Sequence, residues 1–467
     1  MTRPRILIGL GAGVAAAGFA ATLPYWLPQR VTALRGTIFT LVNGEEGIPV
    51  LRRPAGAADF LRIYGDPAAN GRSQGAGLSD LFWYWLAPGP QVHQEHLEPG
   101  PRYDQAARTT RTILASRTKA QWTELVARCT ARVLDQDLAK DNSTIVNVPV
   151  RLRDLMMPVW AEAYYELVFR EPCPRYARDL ITGNADDVVS ALKCTRLRHM
   201  GRRDRLTRYL RGRIDSGTVP FALPGLMTPA EQAFYLQGAF FNTAVVQMSE
   251  AMAHLLLAIA QHPGVQDRLR AGELGDPEYL SRVIDEAMRA WPLFGIAHRI
   301  TTAGIDVDPP IAAGSVLLFD YLGFHTGGGG DAAVFDPGRW ERAGALNFIP
   351  FGVSANRPCP ARGVAPVGMQ AAAVEVLRRF VLSSSAGHAR SLGNRAPVLL
   401  TPVGAPRPGA GRLALMRLRD RWEDVTRSLT QLVLGTVMVA DARRLALCRT
   451  YFAEHPERRP AAKATIS

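Results

Sequence analysis

The stretch Phe348-Ile-Pro-Phe-Gly-Val-Ser-Ala-Asn-Arg-Pro-Cys359-Pro-Ala-Arg362 decides how the rest of the chain is interpreted. Its prolines and glycine favour a stiff turn, and Arg357 and Arg362 place positive charge on both sides of one cysteine, which favours the thiolate. Residues 364–382 follow with apolar side chains at helical spacing, and the amide groups at the start of a helix favour negative charge. The pattern predicts a loop that holds the Cys359 sulfur as a metal ligand.

A thiolate in such a loop suits haem iron, because it pushes electron density onto the iron and favours cleavage of an O–O bond. The alternative is a buried structural cysteine beside a proline-rich turn, because cysteine is among the most buried residue types. The remaining cysteines show no paired spacing, which predicts a reducing compartment rather than a disulfide framework. They are Cys129, Cys173, Cys194 and Cys448.

Two upstream segments favour the haem interpretation. Glu286 and Arg289 are three residues apart and so share one face of a predicted helix. The segment Phe335-Asp-Pro-Gly-Arg339-Trp340 adds a second arginine. Together with the cysteine loop, and in this order, they resemble the three signature elements of the cytochrome P-450 superfamily in its bacterial-like form. The resemblance is strongest over residues 286–362 and extends more weakly from about residue 75 to 400.

The resemblance implies a mainly α fold with small β-sheets, the α+β cytochrome P-450 fold, and haem b (iron protoporphyrin IX) as cofactor. It implies that Cys359 is the iron ligand and that Phe351 belongs to the cofactor-binding loop. The arginines that it implies for the haem propionates are Arg108, Arg299 and Arg357. The buried charged network that it implies under the haem, with a structural role, comprises Glu286, Arg289 and Arg339.

The cysteine loop departs from the family pattern in two ways. Phe351 and Cys359 are eight steps apart where the family has seven, so the loop carries one extra residue. Ser354 and Ala361 stand where the family has glycines. Because serine and alanine adopt a left-handed backbone poorly, we expect the local turn to differ from that of the family.

The long apolar segment from residue 229 to His262-Pro263 resembles the family helix that crosses the haem face. Counting back from its end places Val246 where the family has an acid and Gln247 where it has a threonine, the catalytic positions. A second register, one turn earlier, offers Asn242-Thr243. An acid–alcohol pair relays protons through water, and neither valine nor glutamine titrates. In the first register, the substrate or ordered water must supply the relay, or the enzyme catalyses a different reaction.

Two further patterns invite functional interpretations. His93-Gln-Glu-His96 suggests a metal-binding pair, but no third ligand stands at a recognisable spacing. A hydrogen-bonded or solvated pair is therefore the better interpretation. The aromatic run Phe82-Trp-Tyr-Trp85 fits either an access channel or the core, and the core is the commoner place for such a run.

The chain of 467 residues has 55 basic against 42 acidic residues and a net charge of +13. A basic surface fits an acidic redox partner or an anionic membrane. The sequence has no nucleic-acid-binding module, which argues against nucleic acid as a partner. Residues 6–29 carry no charge and are long enough to cross a bilayer. They fit a retained anchor, a cleavable signal peptide or a hydrophobic segment that packs on the domain. We expect a location at the cytoplasmic side of a membrane or in the cytoplasm, with the signal peptide as the alternative.

The sequence predicts three regions. Residues 1–30 form the hydrophobic N-terminal segment, residues 31–400 form the cytochrome P-450-like haem domain, and residues 401–467 form a helical C-terminal extension with a disordered tail from Glu454. Within the second region, residues 31–50 alternate loosely between apolar and polar, which predicts short strands and a turn.

Three functions compete at this stage. The first is a monooxygenase that inserts one oxygen atom of O2 into a small apolar organic substrate. Its electrons would come from separate proteins, a ferredoxin or a flavoprotein reductase, because the sequence has no flavin or iron–sulfur motif. The second is a haem-thiolate enzyme that uses peroxide, or that rearranges or dehydrates an oxygenated substrate; Val246 favours it. The third is a non-catalytic haem-binding protein.

Overall fold

The computed structural model confirms the mainly α fold with small β-sheets. It describes residues 3–43, 57–72, 77–138, 146–271, 276–327, 331, 334–342 and 346–458. The first nine helices are α1 Arg3–Asn43, α2 Ala57–Gly65, α3 Gly77–Leu86, α4 Pro101–Leu114, α5 Lys119–Leu138, α6 Leu152–Phe169, α7 Arg175–Leu192, α8 Met200–Asp215 and α9 Pro229–Leu236. The others are α10 Val245–Gln261, α11 Pro263–Arg270, α12 Pro277–Ala290, α13 Tyr321–Thr326, α14 Arg339–Arg342, α15 Ala365–Arg379, α16 Ala410–Leu445 and α17 Leu447–Glu454.

Two small antiparallel sheets complete the described structure. Their strands are β1 Val148–Arg151, β2 Ile296–Ile300, β3 Val316–Asp320, β4 Phe380–Ser383 and β5 Pro397–Pro402. The first sheet has the order β1-β5-β4, with Leu400 of β5 opposite both Val148 and Leu382. The second pairs β2 with β3, and an isolated bridge joins Gly71 to Ile300. This bridge brings the segment after α2 next to β2, and so places Arg72 near Arg299.

The centre of the molecule is a continuous helical stretch, Pro229–Gln261. A capping box at Thr228 and Glu231 starts it, and a π-helical segment, Gln237–Ala244, joins α9 to α10. In the described part of the chain it is the one helix long and apolar enough to cross a membrane, but 83% of its apolar window is buried inside the protein. It packs against α6, which is itself almost wholly buried, and therefore behaves as a core helix.

The N-terminal helix corrects one prediction. Residues 31–43 continue α1 and form no strand, and residues 44–50 lie outside the described part of the chain. The reason is tertiary: α1 packs along α16, where Val31 is buried and Arg35 Nη1 donates to Gln431 Oε1 at 3.2 Å. Such packing outweighs a weak local alternation.

The chain boundaries proposed from the sequence remain predictions. Helix α1 passes through residue 30, and strand β5 passes through residue 400. The predicted disorder from Glu454 does not hold for residues 454–458, because Arg458 Nη1 forms an ion pair with Glu231 Oε1 at 3.1 Å. Residues from 459 onward lie outside the described part.

Candidate haem site

Cys359 lies in a turn that connects Phe351 with α15. Its amide donates to the Phe351 carbonyl at 2.9 Å. Two loop residues have a left-handed backbone, Gly352 with φ 71° and Arg357 with φ 51°. Neither position where the family has a glycine, at residues 354 and 361, does so. The left-handed positions of this turn are therefore not those of the family pattern. The left-handed conformation of Arg357, a non-glycine residue, costs roughly 1–2 kcal/mol.

The environment of the sulfur corrects the predicted role of the flanking arginines. Burial raises the pKa of the Cys359 thiol to about 11, and the Ala361 amide opposes this in part. Arg362 donates instead to Ser354 Oγ at 2.9 Å, and α15 begins six residues after the cysteine, so the amide that faces the sulfur belongs to the turn. Cys359 is thus a half-buried residue with a thiol side chain, and a bound metal cation is what would make it a thiolate.

Three arginines form what we call the arginine cluster: Arg299, which is buried, and Arg72 and Arg357, which are half-buried. The pKa of Arg72 is lowered to about 9, mainly by burial and then by the charges of Arg299 and Arg357, with smaller opposing effects of Tyr64 and Glu95. In the described part of the chain, no member forms an ion pair with a carboxylate, and the Nε atoms of Arg72 and Arg299 are buried without a hydrogen-bond partner. The cluster is therefore an excess of positive charge.

Backbone carbonyls hold the arginine cluster in position. Arg299 Nη1 donates to the Ala69 carbonyl at 3.1 Å and its guanidinium stacks on Tyr64. Arg357 Nη2 donates to the Leu97 carbonyl at 2.7 Å. These neutral acceptors fix the orientation of the arginines. The Glu98 carboxylate accepts from the Arg72 amide at 3.1 Å and opposes the lowered pKa of Arg357. One carboxylate against three guanidinium groups leaves a net positive charge, which is the chemistry expected of a site for an anionic group.

Neutral histidines line the same region. The Nε2 atom of His298 lies 3.1 Å from the Arg72 carbonyl oxygen, and the ring stacks on Phe82. Burial lowers the pKa of His298 to about 4, and the charge of Arg72 acts in the same direction. Burial also lowers the pKa of His96 well below its usual range. No nearby histidine therefore adds to the positive charge at neutral pH.

Arg108 is placed differently from the other predicted propionate arginines. It lies on α4 with an exposed side chain, whereas Arg299 and Arg357 belong to the arginine cluster. A partner for a carboxylate that leaves water should itself be buried. The assignment of Arg108 stays a prediction, and the structure offers Arg72 as the third arginine instead. Arg72 belongs to no sequence motif; only the bridge from Gly71 to Ile300 brings it next to Arg299.

The structure brings together all three members of the predicted charged network, which we call the Glu286 network. The Glu286 carboxylate binds Arg289 through two contacts, Oε1–Nη2 at 2.7 Å and Oε2–Nε at 2.8 Å. Arg339 Nε lies 3.6 Å from Glu286 Oε1, and the Trp340 indole donates to Oε2 at 3.1 Å. The Asp336 amide donates to Oε1 at 2.9 Å. The carboxylate is fully buried and fully partnered.

The central helix places the two candidate pairs for the acid and alcohol positions, Val246-Gln247 and Asn242-Thr243, in different surroundings. Val246 is buried in α10 and Gln247 is half-buried, one turn beyond the π-helical segment. Thr243 lies inside that segment, and its Oγ1 is 2.8 Å from Nε2 of His93. A Cβ at Gly238 would lie 2.7 Å from the His93 ring, so glycine is needed for the imidazole to approach the helix. Because π-helical segments occur frequently at functional sites, the geometry favours the Thr243 register.

His93 also belongs to the same part of the molecule as the cysteine loop. The carbonyls of Gln94 and Leu97, one and four residues later, accept hydrogen bonds from Arg357 Nη2 at 3.2 and 2.7 Å. The segment 93–97 thus bridges the central helix and the loop of Cys359. Among the described residues, no group of three or more His, Cys, Asp or Glu side chains could hold a metal ion, which agrees with a hydrogen-bonded His93.

Comparison with known proteins gives the class of the molecule. Residues 235–404 match the family model described as cytochrome P-450. No curated protein matches the chain by sequence. Three similar solved structures follow, all at low sequence identity. P-450BioI in complex with hexadec-9Z-enoic acid ligated acyl carrier protein has a TM-score of 0.59 at 15% identity, covering 79% of this chain and 98% of that chain.

A zebra fish cytochrome P-450 with abiraterone has a TM-score of 0.57 at 18% identity, covering 76% of this chain and 91% of that chain. A 6-coordinated cytochrome P-450 from Thermus thermophilus has a TM-score of 0.54 at 16% identity, covering 73% and 88%. The fold is that of the haem-thiolate proteins. The match over residues 235–404 and the shared fold together support membership of the cytochrome P-450 superfamily, whose members are haem-thiolate oxidoreductases.

The described residues fit the haem that the family implies. The half-buried thiol of Cys359 could ligate iron, and the arginine cluster could bind two propionates. The roles of Arg299, Arg357 and Cys359, which the sequence motifs suggested, stay predictions. The motifs missed Arg72 and the pairing of His93 with Thr243, because both depend on contacts between segments far apart in the chain. The assignments of Phe351, Val246 and Gln247 stay predictions.

Proposed function

We propose that the protein is a monooxygenase that inserts one oxygen atom of O2 into a small apolar organic substrate. The observation that supports this most is one loop that carries both a half-buried thiol, Cys359, and a member of the arginine cluster, Arg357. Haem b would be held by the thiol on its iron and by Arg72, Arg299 and Arg357 on its propionates. When bound, it would supply iron whose thiolate ligand favours O–O cleavage.

The proposal assigns proton transfer to His93 and Thr243. Burial lowers the pKa of His93, so at neutral pH the ring is a neutral imidazole that has one N–H and one acceptor nitrogen. Such a ring takes a proton at one nitrogen and releases one at the other, and Thr243 Oγ1 contacts its Nε2 atom at 2.8 Å. The other ring nitrogen, Nδ1, is buried and has no hydrogen-bond partner among the described residues. A bound water would therefore bring the proton to Nδ1, and the pair would deliver it to the central helix.

The carboxylates of the central helix do not take part in this proton transfer. Helix Pro229–Gln261 contains two carboxylates, Glu231 and Glu250. Glu231 caps the helix start and binds Arg102 at 2.6 Å, and Glu250 binds Lys193 at 2.6 Å and Arg153 at 3.1 Å. Each is held by cations in a structural position, so neither replaces the acid that the family places near residue 246.

The lack of a free acid in the central helix also favours a second candidate function. A haem-thiolate enzyme that uses peroxide, or that rearranges or dehydrates an oxygenated substrate, needs no acid in the central helix to protonate bound oxygen from O2. The absence of that acid supports this candidate. It would run without an electron donor, whereas the monooxygenase takes electrons from a separate ferredoxin or flavoprotein reductase, for which the net charge of +13 offers a basic docking surface.

Isotope labelling separates the two candidates. Purified holoprotein is supplied with NADH, a ferredoxin and its reductase, a panel of small apolar substrates and ¹⁸O2. A monooxygenase gives products with one ¹⁸O atom and consumes reducing equivalents. Turnover of hydrogen peroxide or of an oxygenated substrate in the absence of donor, with no ¹⁸O from O2, favours the second candidate. Haem binding with neither activity contradicts both.

The location is part of the proposal. We propose that the protein resides at the cytoplasmic side of a membrane, with residues 6–29 as a retained hydrophobic segment. Helix α1 covers these residues, and α1 contains arginines but no acidic residue. N-terminal sequencing of the mature protein tests this directly. A start downstream of residue 15 would show that a signal peptide had been removed.

A further inference from the structure

Helices α1 and α16 lie side by side and run in the same direction. The Arg421 guanidinium lies over the Tyr25 ring, 4.6 Å from its centroid, and Arg35 binds Gln431 at 3.2 Å. Both pairs are 396 residues apart in the sequence. The two helices therefore keep a constant register over about three turns.

Helix α16 has a long unpartnered apolar stripe. Six large apolar side chains are exposed along it, in steps of three, four, seven, four and four residues. These steps keep one helix face, and the stripe is about 33 Å long at 1.5 Å per residue. Its members are Leu415, Leu418, Trp422, Leu429, Val433 and Val437.

Helix α1 has a matching stripe at the same heights. Phe19, Trp26, Leu34 and Leu41 are exposed and stand seven, eight and seven residues apart, which again keeps one face. With the constant register, Phe19 is level with Leu415, and Trp26 is level with the tryptophan of α16. We call the two stripes together the α1/α16 face. Exposed apolar area of this extent marks an interaction surface.

The two helices of the α1/α16 face carry more positive than negative charge, and Arg419, Arg427 and Arg444 pair with acids of α16 itself. The two helices contain eleven arginines and four acidic residues. Two of the acids face inward: Asp420 is buried and accepts the Gly387 amide, and Glu423 binds Arg151 at 2.8 Å. Arg30 is exposed within the α1 stripe. A second copy of the chain would oppose this positive face with another, whereas a surface of anionic headgroups would neutralise it.

We propose that the α1/α16 face docks on a bilayer that contains anionic lipids. The apolar stripes would lie in the interfacial zone, with arginines at the lipid phosphates and exposed Tyr25, Trp26 and Trp422 at headgroup level, where tyrosine and tryptophan are enriched. The charges along α16 make it a helix that lies on the membrane and does not span it. This inference specifies the proposed membrane location and does not rest on the haem chemistry, so either can fail alone.

Vesicle flotation of the holoprotein tests the docking. Phosphatidylcholine vesicles with and without phosphatidylglycerol are compared, and the protein should float with the anionic vesicles and dissociate as salt is raised. The variant Leu415→Glu/Val433→Glu should lower the partition coefficient by about tenfold or more. The matched control is Leu226→Glu/Val403→Glu, whose parent side chains are 50% and 49% exposed elsewhere on the surface. It should float as the wild type does.

Three results would overturn the proposal. In the first, the wild type does not float with anionic vesicles. In the second, the Leu415→Glu/Val433→Glu variant floats as well as the wild type, which assigns binding to another part of the chain. In the third, the wild type is a dimer that this variant dissociates, without any vesicle binding, which assigns the face to contact between copies. Haem content and circular dichroism confirm that each variant is folded.

Discussion

The Glu286 network and the arginine cluster are both rich in arginine, yet only in the first does a carboxylate bind the guanidinium groups directly. Glu286 accepts from Arg289 at 2.7 and 2.8 Å and from Trp340 at 3.1 Å, so its charge is neutralised within the fold. In the described part of the chain, the arginine cluster makes no ion pair with a carboxylate. Burial is the main cause that lowers the pKa of Arg72 to about 9, and the charges of Arg299 and Arg357 act in the same direction.

This difference indicates a structural role for the Glu286 network and a ligand-binding role for the arginine cluster. A closed charged network stabilises the fold as it stands, and losing one partner leaves an uncompensated charge. Arginines without a bound carboxylate repel one another and lower the free energy of unfolding of the empty protein. An anion that binds to them relieves this repulsion, so the arginines contribute to the free energy of binding. In a haem-thiolate protein the expected anions are the two propionates. The following predictions therefore differ in whether the effect appears in the empty or in the loaded protein.

The largest effect is expected at Glu286. Glu286→Ala leaves Arg289 buried without its carboxylate, which costs about 3–5 kcal/mol. We expect little folded holoprotein and an equally destabilised haem-free protein, measured by denaturant unfolding. The matched control is Glu341→Ala: Glu341 also contacts two arginines, at 3.1 and 3.6 Å, but its side chain is 44% exposed. Its loss should cost less than about 1 kcal/mol. Equal stability of the two variants would remove the structural role of the network.

The second prediction concerns proton transfer. Thr243→Val removes the hydroxyl that contacts His93 Nε2 and nearly preserves the volume. General acid–base catalysis is worth about 10²–10⁴-fold, and we expect product formed per electron pair to fall roughly 10²-fold. Gln247→Leu is the control and should leave this ratio unchanged.

The opposite pattern would restore the first register. If Gln247→Leu uncouples the enzyme and Thr243→Val does not, the relay lies at Val246 and Gln247. In that register, Val246→Asp with Gln247→Thr should raise coupling in a monooxygenase.

The third prediction gives opposite signs in the empty and loaded protein. Arg72→Gln removes one of three crowded charges, so the unfolding midpoint of the haem-free protein should rise. The same change removes a charged donor to a propionate, worth about 1.5–3 kcal/mol, so haem should transfer to apomyoglobin roughly 10–100-fold faster. Arg108→Gln, on the exposed surface, is the control and should alter neither value. Slower haem loss in Arg72→Gln would contradict the propionate site.

The smallest expected effect is a pH dependence. Burial lowers the pKa of His325, beside the Glu286 network, to about 4. Between pH 6.5 and 4 the unfolded chain binds a proton that the folded protein does not, so stability is lost as pH falls through this window. His325→Gln should reduce the slope of stability against pH by up to about 1.4 kcal/mol per pH unit.

His298 sharpens the comparison because it has the same lowered pKa, about 4, but lies beside the arginine cluster. Bound propionates would offset the arginine charges that act on it and raise its pKa. In the holoprotein, His298→Gln should therefore reduce the slope less than His325→Gln does. Equal reductions would indicate that no anion lies near His298.

Residues that belong to one local motif could be predicted from the sequence, whereas residues brought together by distant segments could not. The Glu286 network was predictable, because its members lie in two short motifs, one of them within a single helix. Cys359 and Arg357 were predictable because they share one loop. Arg72 was not, because it reaches the cluster through a bridge between Gly71 and Ile300 that no local pattern encodes.

The central helix and the N-terminus show why other predictions differed. Counting back from His262 to Val246 stays within the regular helix α10 and gives no information on the π-helical segment that precedes it, and the contact of Thr243 with His93 spans 150 residues. Residues 31–43 alternate weakly, and only packing on α16 decides that they are helical. In both cases, the deciding contact joins segments far apart in the chain.

The ferrous–CO difference spectrum of the purified protein tests the central claim, that Cys359 ligates haem iron as a thiolate. We expect the strongly red-shifted Soret band of thiolate ligation in the wild type and its loss in Cys359→Ser. The band should persist in Cys129→Ser, because Cys129 is a buried thiol beside Glu166. A wild-type spectrum without the red-shifted band, or a band that survives Cys359→Ser, would contradict the account.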